Sequence, residues 1–259
     1  MQNNELKLAL YQADLFWEQP DKNIEKLWEY EGKLQDIDIL ICPEMFTTGF
    51  SMNVKNMAQP HQSGHFQHMA KLATNTDTAL VFSMIVHDGG KYYNRLYFIF
   101  PDGSSAFYDK KHLFMMGDEH NHYSAGHKRL LVDFKGWRIM PLICYDLRFP
   151  VWSRNTSNYD LLLYVANWPG VRADVWKTLL KARALENQSY VAGVNRVGAD
   201  GRNITYQGDS LLFDAKGKAL LDAGDGEKFL TASVYYDELK IFRDKFPVLN
   251  DTDNFRLMD

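Results

Sequence analysis

Arg138-Ile139-Met140-Pro141-Leu142-Ile143-Cys144-Tyr145-Asp146-Leu147-Arg148-Phe149-Pro150 is the stretch on which the reading of the chain turns. Residues 137–144 are apolar enough for a buried strand, and polar residues begin as soon as that strand ends. A cysteine at such a junction can stand at a strand–helix elbow, exposed at a sheet edge, where a helix N-terminus favours thiolate. The alternative is an inert core thiol, because free cysteine is among the most buried residue types.

Working outward, residues 159–166 and 189–195 read as further strands, with a helix over 173–187 between them. Upstream, strands are expected over 6–11, 36–42 and 78–86, and helices over 21–34 and 62–75, with Asp21 as N-cap of the first. Residues 93–100 and 105–109, parted by Pro101-Asp102-Gly103, read as a hairpin. The last third repeats that pattern over 209–213, 219–222 and 229–234, before a helix over 237–245. Alternating β and α units with hairpins imply mixed sheets with helices packed outside. No linker or low-complexity segment interrupts them, so residues 1–259 are read as one domain.

Composition narrows the function classes. The chain has 46% hydrophobic and 24% charged residues, the balance of a soluble globular protein. A net charge of −4 without any Lys/Arg run leaves no electrostatic footprint for nucleic acid. No apolar run approaches the ~18 residues of a membrane span, and the N-terminus lacks the pattern of a signal peptide. With only Cys42 and Cys144, free thiols in a reducing cytoplasm are expected.

Cys42 reads as core. Glu44 follows the same apolar strand and precedes Met45-Phe46-Thr47-Thr48-Gly49-Phe50, surroundings that push a carboxylate towards the range of a general base. Lys110, in Tyr108-Asp109-Lys110-Lys111-His112-Leu113, can hold an ammonium near a reacting carbonyl and stabilise an oxyanion. Taken singly, each is more commonly a solvated charge. The histidines, His61, His65 and His68, which are spaced to share a helix face, and then His112, His120, His122 and His127, open a zinc alternative, although no His-Glu-x-x-His or Cys-x-x-Cys signature accompanies them.

Together, Pro43-Glu44-Met45-Phe46, Tyr108-Asp109-Lys110-Lys111-His112-Leu113 and Cys144-Tyr145-Asp146-Leu147-Arg148-Phe149-Pro150 resemble, in order and spacing, the Glu–Lys–Cys triad motifs of the nitrilase superfamily of carbon–nitrogen hydrolases. Lys181-Ala182-Arg183-Ala184-Leu185-Glu186-Asn187 and Gly208-Asp209-Ser210 extend the resemblance to about Val234. It implies an α/β fold, a four-layer αββα sandwich, whose members pair into dimers or larger assemblies, and a reaction that needs no cofactor or metal. It also implies Glu44 as base, Cys144 as nucleophile, and Lys110 with the Tyr145 N–H as oxyanion donors. Glu119 matches the second glutamate that many members carry, although Ala125-Gly126 stands where Pro-Gly is usual.

Cys-Tyr-Asp-Leu-Arg-Phe-Pro, Asn167-Trp168-Pro169 and Gly193-Val194-Asn195-Arg196-Val197-Gly198 resemble the ω-amidase branch, whose members release ammonia from 2-oxoglutaramate and similar dicarboxylic monoamides. Such a substrate needs a cation for its far carboxylate. Arg172 is the candidate, with Phe46 and Trp168 as apolar walls. The alternatives are a nitrile or N-carbamoyl substrate, or a binding module without catalysis.

Overall fold

The computed structural model describes residues 4–253 and 255–257. The first half of the chain supplies β1 (Glu5–Gln12), β2 (Ile39–Ile41), β3 (Gln59–Pro60), β4 (Ala79–Asp88), β5 (Lys91–Ile99) and β6 (Ser105–Asp109). After them come β7 (Val132–Phe134), β8 (Trp137–Ile143), β9 (Leu161–Ala166), β10 (Tyr190–Asn195) and the short pair β11 (Val197–Ala199) and β12 (Thr205–Gln207). The chain then adds β13 (Leu211–Phe213), β14 (Ala219–Asp222) and β15 (Lys228–Tyr235). Its helices are α1 (Pro20–Trp28), α2 (Val54–Met57), α3 (Gly64–Thr76), α4 (Glu119–His122), α5 (Pro150–Ser153), α6 (Ala173–Asn187) and α7 (Tyr236–Lys245).

One sheet runs β15-β1-β2-β4-β5-β6 with β3 beside β4, and the other runs β14-β13-β10-β9-β8-β7. Each has a parallel centre, β1-β2-β4 and β8-β9-β10, extended by antiparallel hairpins. Alternation within the strands sorts the core into layers. Leu6, Leu8, Leu10, Ile39 and Ile41 join the cluster that includes Ile139, Ile143, Leu163 and Val165 of the facing sheet. Their neighbours Ala9, Tyr11, Leu40 and Cys42 turn the other way, onto Ile24 and Leu27 of α1 and Phe66 and Met69 of α3. On the far side, Trp176, Leu180 and Ala184 of α6 pack against the second sheet. The order helix, sheet, sheet, helix is the expected αββα sandwich, and Cys42 lies in its outer core.

The first helix differs from expectation. It starts at Pro20 with Gln19 as its cap, so Asp21 is a first-turn acid and not the N-cap. Proline has no N–H to satisfy and a φ already helical, which suits it to that first position. The helix stops at Trp28, and a separate 3₁₀ turn covers Glu31–Lys33. No helix among the described residues is long and apolar enough to cross a membrane.

Candidate active site

Cys144 directly follows β8 in a left-handed conformation, φ +42°, and opens a 3₁₀ turn over Cys144–Arg148. A non-glycine residue holds such a backbone only when its surroundings over-determine it. Here the Asp146 carboxylate does so: Oδ2 accepts the N–H of Ile143 at 3.0 Å and the hydroxyl of Tyr108 at 2.8 Å. Its Oδ1 accepts the backbone N–H of His112 at 3.1 Å and meets His112 Nδ1 at 2.8 Å. One buried carboxylate therefore ties the cysteine elbow to the segment that follows Lys110.

Lys110 follows β6. Arg95, 3% exposed, forks onto Asp109 with Nε–Oδ1 2.7 Å and Nη2–Oδ2 2.9 Å, pinning the residue before it. On the opposite side, the Gly126 N–H donates to the Lys110 carbonyl at 2.9 Å. A Cβ on Gly126 would lie 2.1 Å from the Asp109 carbonyl oxygen, a backbone atom that cannot rotate aside. Gly126→Ala is therefore expected to cost about 1–3 kcal/mol through overpacking. A urea midpoint equal to that of the wild type would show that the segment yields freely.

The charged groups converge beside Cys144. Lys110 Nζ donates to Glu44 Oε1 at 2.8 Å and to Glu119 Oε1 and Oε2 at 3.0 and 2.9 Å, and all three side chains are fully buried. Asn94 Nδ2 donates to Glu44 Oε1 at 2.8 Å and to Glu119 Oε1 at 3.2 Å. The second oxygen of Glu44 accepts the Asn167 N–H at 2.9 Å, while Asn167 Nδ2 donates to the Glu44 carbonyl at 2.6 Å. Glu119 Oε2 also accepts the Phe114 N–H at 2.6 Å.

Burial would lower the Lys110 pKa, but the Glu119 and Glu44 carboxylates outweigh it and hold the ammonium well above the ordinary lysine value. Burial raises the carboxyl of Glu119, against the pull of Lys110. The Cys144 thiol is pushed well up, first by burial and then by the Glu44 carboxylate, with Lys110 opposing. That corrects one expectation. The turn after Cys144 is a short 3₁₀ piece and not a helix whose dipole would favour thiolate, so the resting group is the thiol. For its sulfur to act as a nucleophile, a neighbouring base would have to take that proton.

A cavity of about 440 Å³ opens onto Cys144 and Lys110. Tyr145, Trp168 and Arg172 line it, as the sequence predicts. Phe46 does not: it is buried in the outer core, its ring 6.2 Å from that of Tyr11, and Phe50 lines the cavity instead. Met45 causes the change of direction, because its φ of +44° turns the chain there and the Phe46 N–H is bonded to the Ser83 carbonyl at 2.9 Å. Phe114, Tyr206, Arg148 and Arg202 also line it and were not anticipated, nor was Asn94 beside the charged cluster. The Arg172 guanidinium lies 5.6 Å from the Phe114 ring centroid, and its carbonyl accepts Trp168 Nε1–H at 2.9 Å.

The first three histidines of the zinc alternative do not converge. His61 precedes α3 and meets the Tyr97 hydroxyl at 2.8 Å, whereas His65 faces Asp21. Among the described residues no group of three or more His, Cys, Asp or Glu side chains is arranged to hold a metal.

Comparison with known proteins follows the same line. The carbon-nitrogen hydrolase family model matches residues 7–243. The omega-amidase YafV of Yersinia enterocolitica is 44% identical over 254 residues, 98% of this chain and 99% of its relative. The 2-oxoglutaramate amidase of Bacillus subtilis is 33% identical over 250 residues, 94% of this chain and 96% of that one. The crystal structure of XC1258 from Xanthomonas campestris, a CN-hydrolase superfamily protein with an arsenic adduct in its active site, superposes with a TM-score of 0.97. It is 38% identical, covering 99% of this chain and 100% of that one. On a family match of this length, with relatives this similar from end to end, the protein is a member of the carbon-nitrogen hydrolase family.

Proposed function

We propose that the protein is an ω-amidase, a single carbon–nitrogen hydrolase unit that releases ammonia from dicarboxylic monoamides such as 2-oxoglutaramate through a thioester on Cys144. The observation that carries the reading is the placing of Cys144 beside the buried Glu44–Lys110–Glu119 cluster, at the floor of a cavity that Arg172 also lines. The named relatives support the same reaction class.

In this reaction Glu44 takes the proton from Cys144, and the sulfur forms a bond to the amide carbon as the carbonyl π pair moves onto oxygen. Lys110 and the Tyr145 N–H stabilise that oxyanion. Its collapse breaks the C–N bond, Glu44 returns the proton to nitrogen, and ammonia leaves. Glu44 then deprotonates water, which attacks the thioester; the C–S bond breaks, the carboxylic acid departs and Cys144 regains its proton. Lys110 already donates to three carboxylate oxygens. Its contact with an oxyanion therefore requires sharing or releasing one of those bonds. Glu119 holds Lys110 in place.

Arg172 is assigned to the distal carboxylate. A charge-assisted hydrogen bond contributes about 1.5–3 kcal/mol. Arg172→Met is accordingly expected to raise KM for succinamate roughly 10- to 100-fold, while butyramide, which lacks the carboxylate, is hydrolysed as before. Equal effects on the two amides would remove Arg172 from recognition. The reading itself is tested by ammonia release from 2-oxoglutaramate, succinamate, glutamine, an aliphatic nitrile and an N-carbamoyl amino acid. Turnover of the first two supports it. Turnover of only the nitrile or the carbamoyl compound reassigns the substrate, and silence across the panel points to a binding module on the same fold.

A further inference from the structure

Asn94 touches each member of the buried charged cluster. Its carbonyl accepts the Lys110 backbone N–H at 3.0 Å, and its Nδ2 reaches Glu44 Oε1 and Glu119 Oε1. Lys110 Nζ donates to those same two oxygens. Two carboxylate oxygens, one from the loop after β2 and one from the first residue of α4, thus share one pair of donors among fully buried charged side chains. Ionised together they carry two negative charges against the single positive charge of Lys110, and like charges so placed ordinarily drive one carboxylate to take up a proton.

The hydrogen-bond directions oppose that uptake. Glu119 faces the donors of Asn94, Lys110 and the Phe114 N–H, and Glu44 faces those of Asn94, Lys110 and the Asn167 N–H. Each of these partners presents a donor and none an acceptor, so all of them disfavour a proton on either carboxylate. The amide of Asn94 is committed to this task at its own cost, for its Oδ1 is buried with no hydrogen-bond partner among the described residues. Among the described residues, Cys144, Tyr123 and Tyr206 are further titratable groups that face the pair. Burial is the main reason each phenol is held well above its ordinary value, so neither adds charge at neutral pH.

We propose that Asn94 is a positioning residue that keeps the Glu44 and Glu119 carboxylates side by side as hydrogen-bond acceptors, which leaves Glu44 able to receive the Cys144 proton. The proposal rests on the reading of Glu44 as general base. Its consequence is a pH dependence that a merely structural asparagine would not set.

The test is the pH profile of Asn94→Ala beside the wild type, read in two ways: kcat/KM for succinamate, and the rate of Cys144 carboxymethylation by iodoacetamide, followed by mass spectrometry of the labelled peptide. Without the amide donor, a carboxylate of the pair binds its proton more tightly. Both acid limbs should therefore move about one pH unit to the alkaline side, with rates recovering towards the wild type at high pH. Should the alanine variant not fold, Asn94→Asp, which keeps the shape and exchanges the donor for an oxygen, is read in its place and should move the limb further. An unmoved limb in a folded variant, or a rate loss uniform across pH, overturns the proposal. If the wild type fails to hydrolyse succinamate, the alkylation arm still decides the role of Asn94, and the substrate reading alone has failed.

Discussion

Cys144→Ala is expected to lower ammonia release from succinamate by at least about 10⁴-fold, the scale on which loss of a nucleophile acts when oxyanion donors and binding contacts stay in place. The reason is specific to this site. Its thiol is held well above its ordinary pKa by burial and by Glu44, so its reactivity depends on proton transfer to a base and not on standing thiolate. On the proposed mechanism, alanine removes the group that would form the thioester and leaves Glu44 nothing better than water to activate. The fold should survive, because the backbone at Cys144 is fixed by Asp146, whereas the sulfur makes a long 3.9 Å contact to the Asn167 carbonyl. A stability change below about 1 kcal/mol is expected, a Tm shift of less than about 2–4 °C for a chain of this size. Iodoacetamide supplies the control. Cys42 is fully buried and its thiol is pushed up by burial alone, with no base among the causes. Labelling should therefore fall on Cys144 and disappear in Cys144→Ala. Substantial turnover by a homogeneous Cys144→Ala preparation would end the nucleophile assignment.

What could be read from the sequence was whatever depends on local pattern. The two-residue alternation of Leu6, Leu8 and Leu10 against Ala9 and Tyr11 marks two buried faces, and both exist. The helix over 173–187 matches α6 residue for residue, because apolar spacing and the left-handed Gln188 after it are local features. The short hairpin β11–β12 escaped notice. Each strand is only three residues long, and what holds the hairpin comes from the other end of the chain: a Cβ on Gly201 would meet Trp17 Nε1 at 2.4 Å, and Asp14 bridges to Val197. Yet this hairpin supplies Arg202 and Tyr206 to the cavity wall. Asn94 was missed for the same reason. In Tyr92-Tyr93-Asn94-Arg95-Leu96 it reads as a polar strand residue, and its importance comes from Glu44, 50 residues away. One signal was available, since an Asn-Arg pair inside an otherwise apolar strand needs buried partners. The exchange of Phe46 for Phe50 lies below what pattern reading resolves, since left-handed backbone at Met45 and Gly49 turns the loop that carries the two rings.

Lys110→Ala separates activity from stability in a way that the triad motif alone would not suggest. The motif predicts lost turnover on an intact fold, and turnover should indeed fall as far as in Cys144→Ala. But Lys110 is also the cation between two buried carboxylates, bonded to Glu44 once and to Glu119 twice. Removing one partner of a buried ion pair costs about 3–5 kcal/mol, because the remaining charge is left uncompensated. At neutral pH a clearly lower Tm is therefore expected. The sign of the pH dependence follows from Glu119, whose carboxyl is raised by burial even while Lys110 pulls it down. Without Lys110 it rises further, so the folded variant binds more protons than the unfolded chain above the ordinary glutamate value of about 4.3. Its stability falls as pH increases through that window and returns as pH decreases towards it. Adding Glu119→Gln to Lys110→Ala removes one of the stranded charges and should recover much of the Tm without restoring turnover, a non-additivity expected only of groups in contact. A Lys110→Ala protein with the Tm of the wild type at pH 7 would mean that the two carboxylates do not depend on this lysine, and the electrostatic account of the site would have to be rebuilt around Asn94 and the backbone donors.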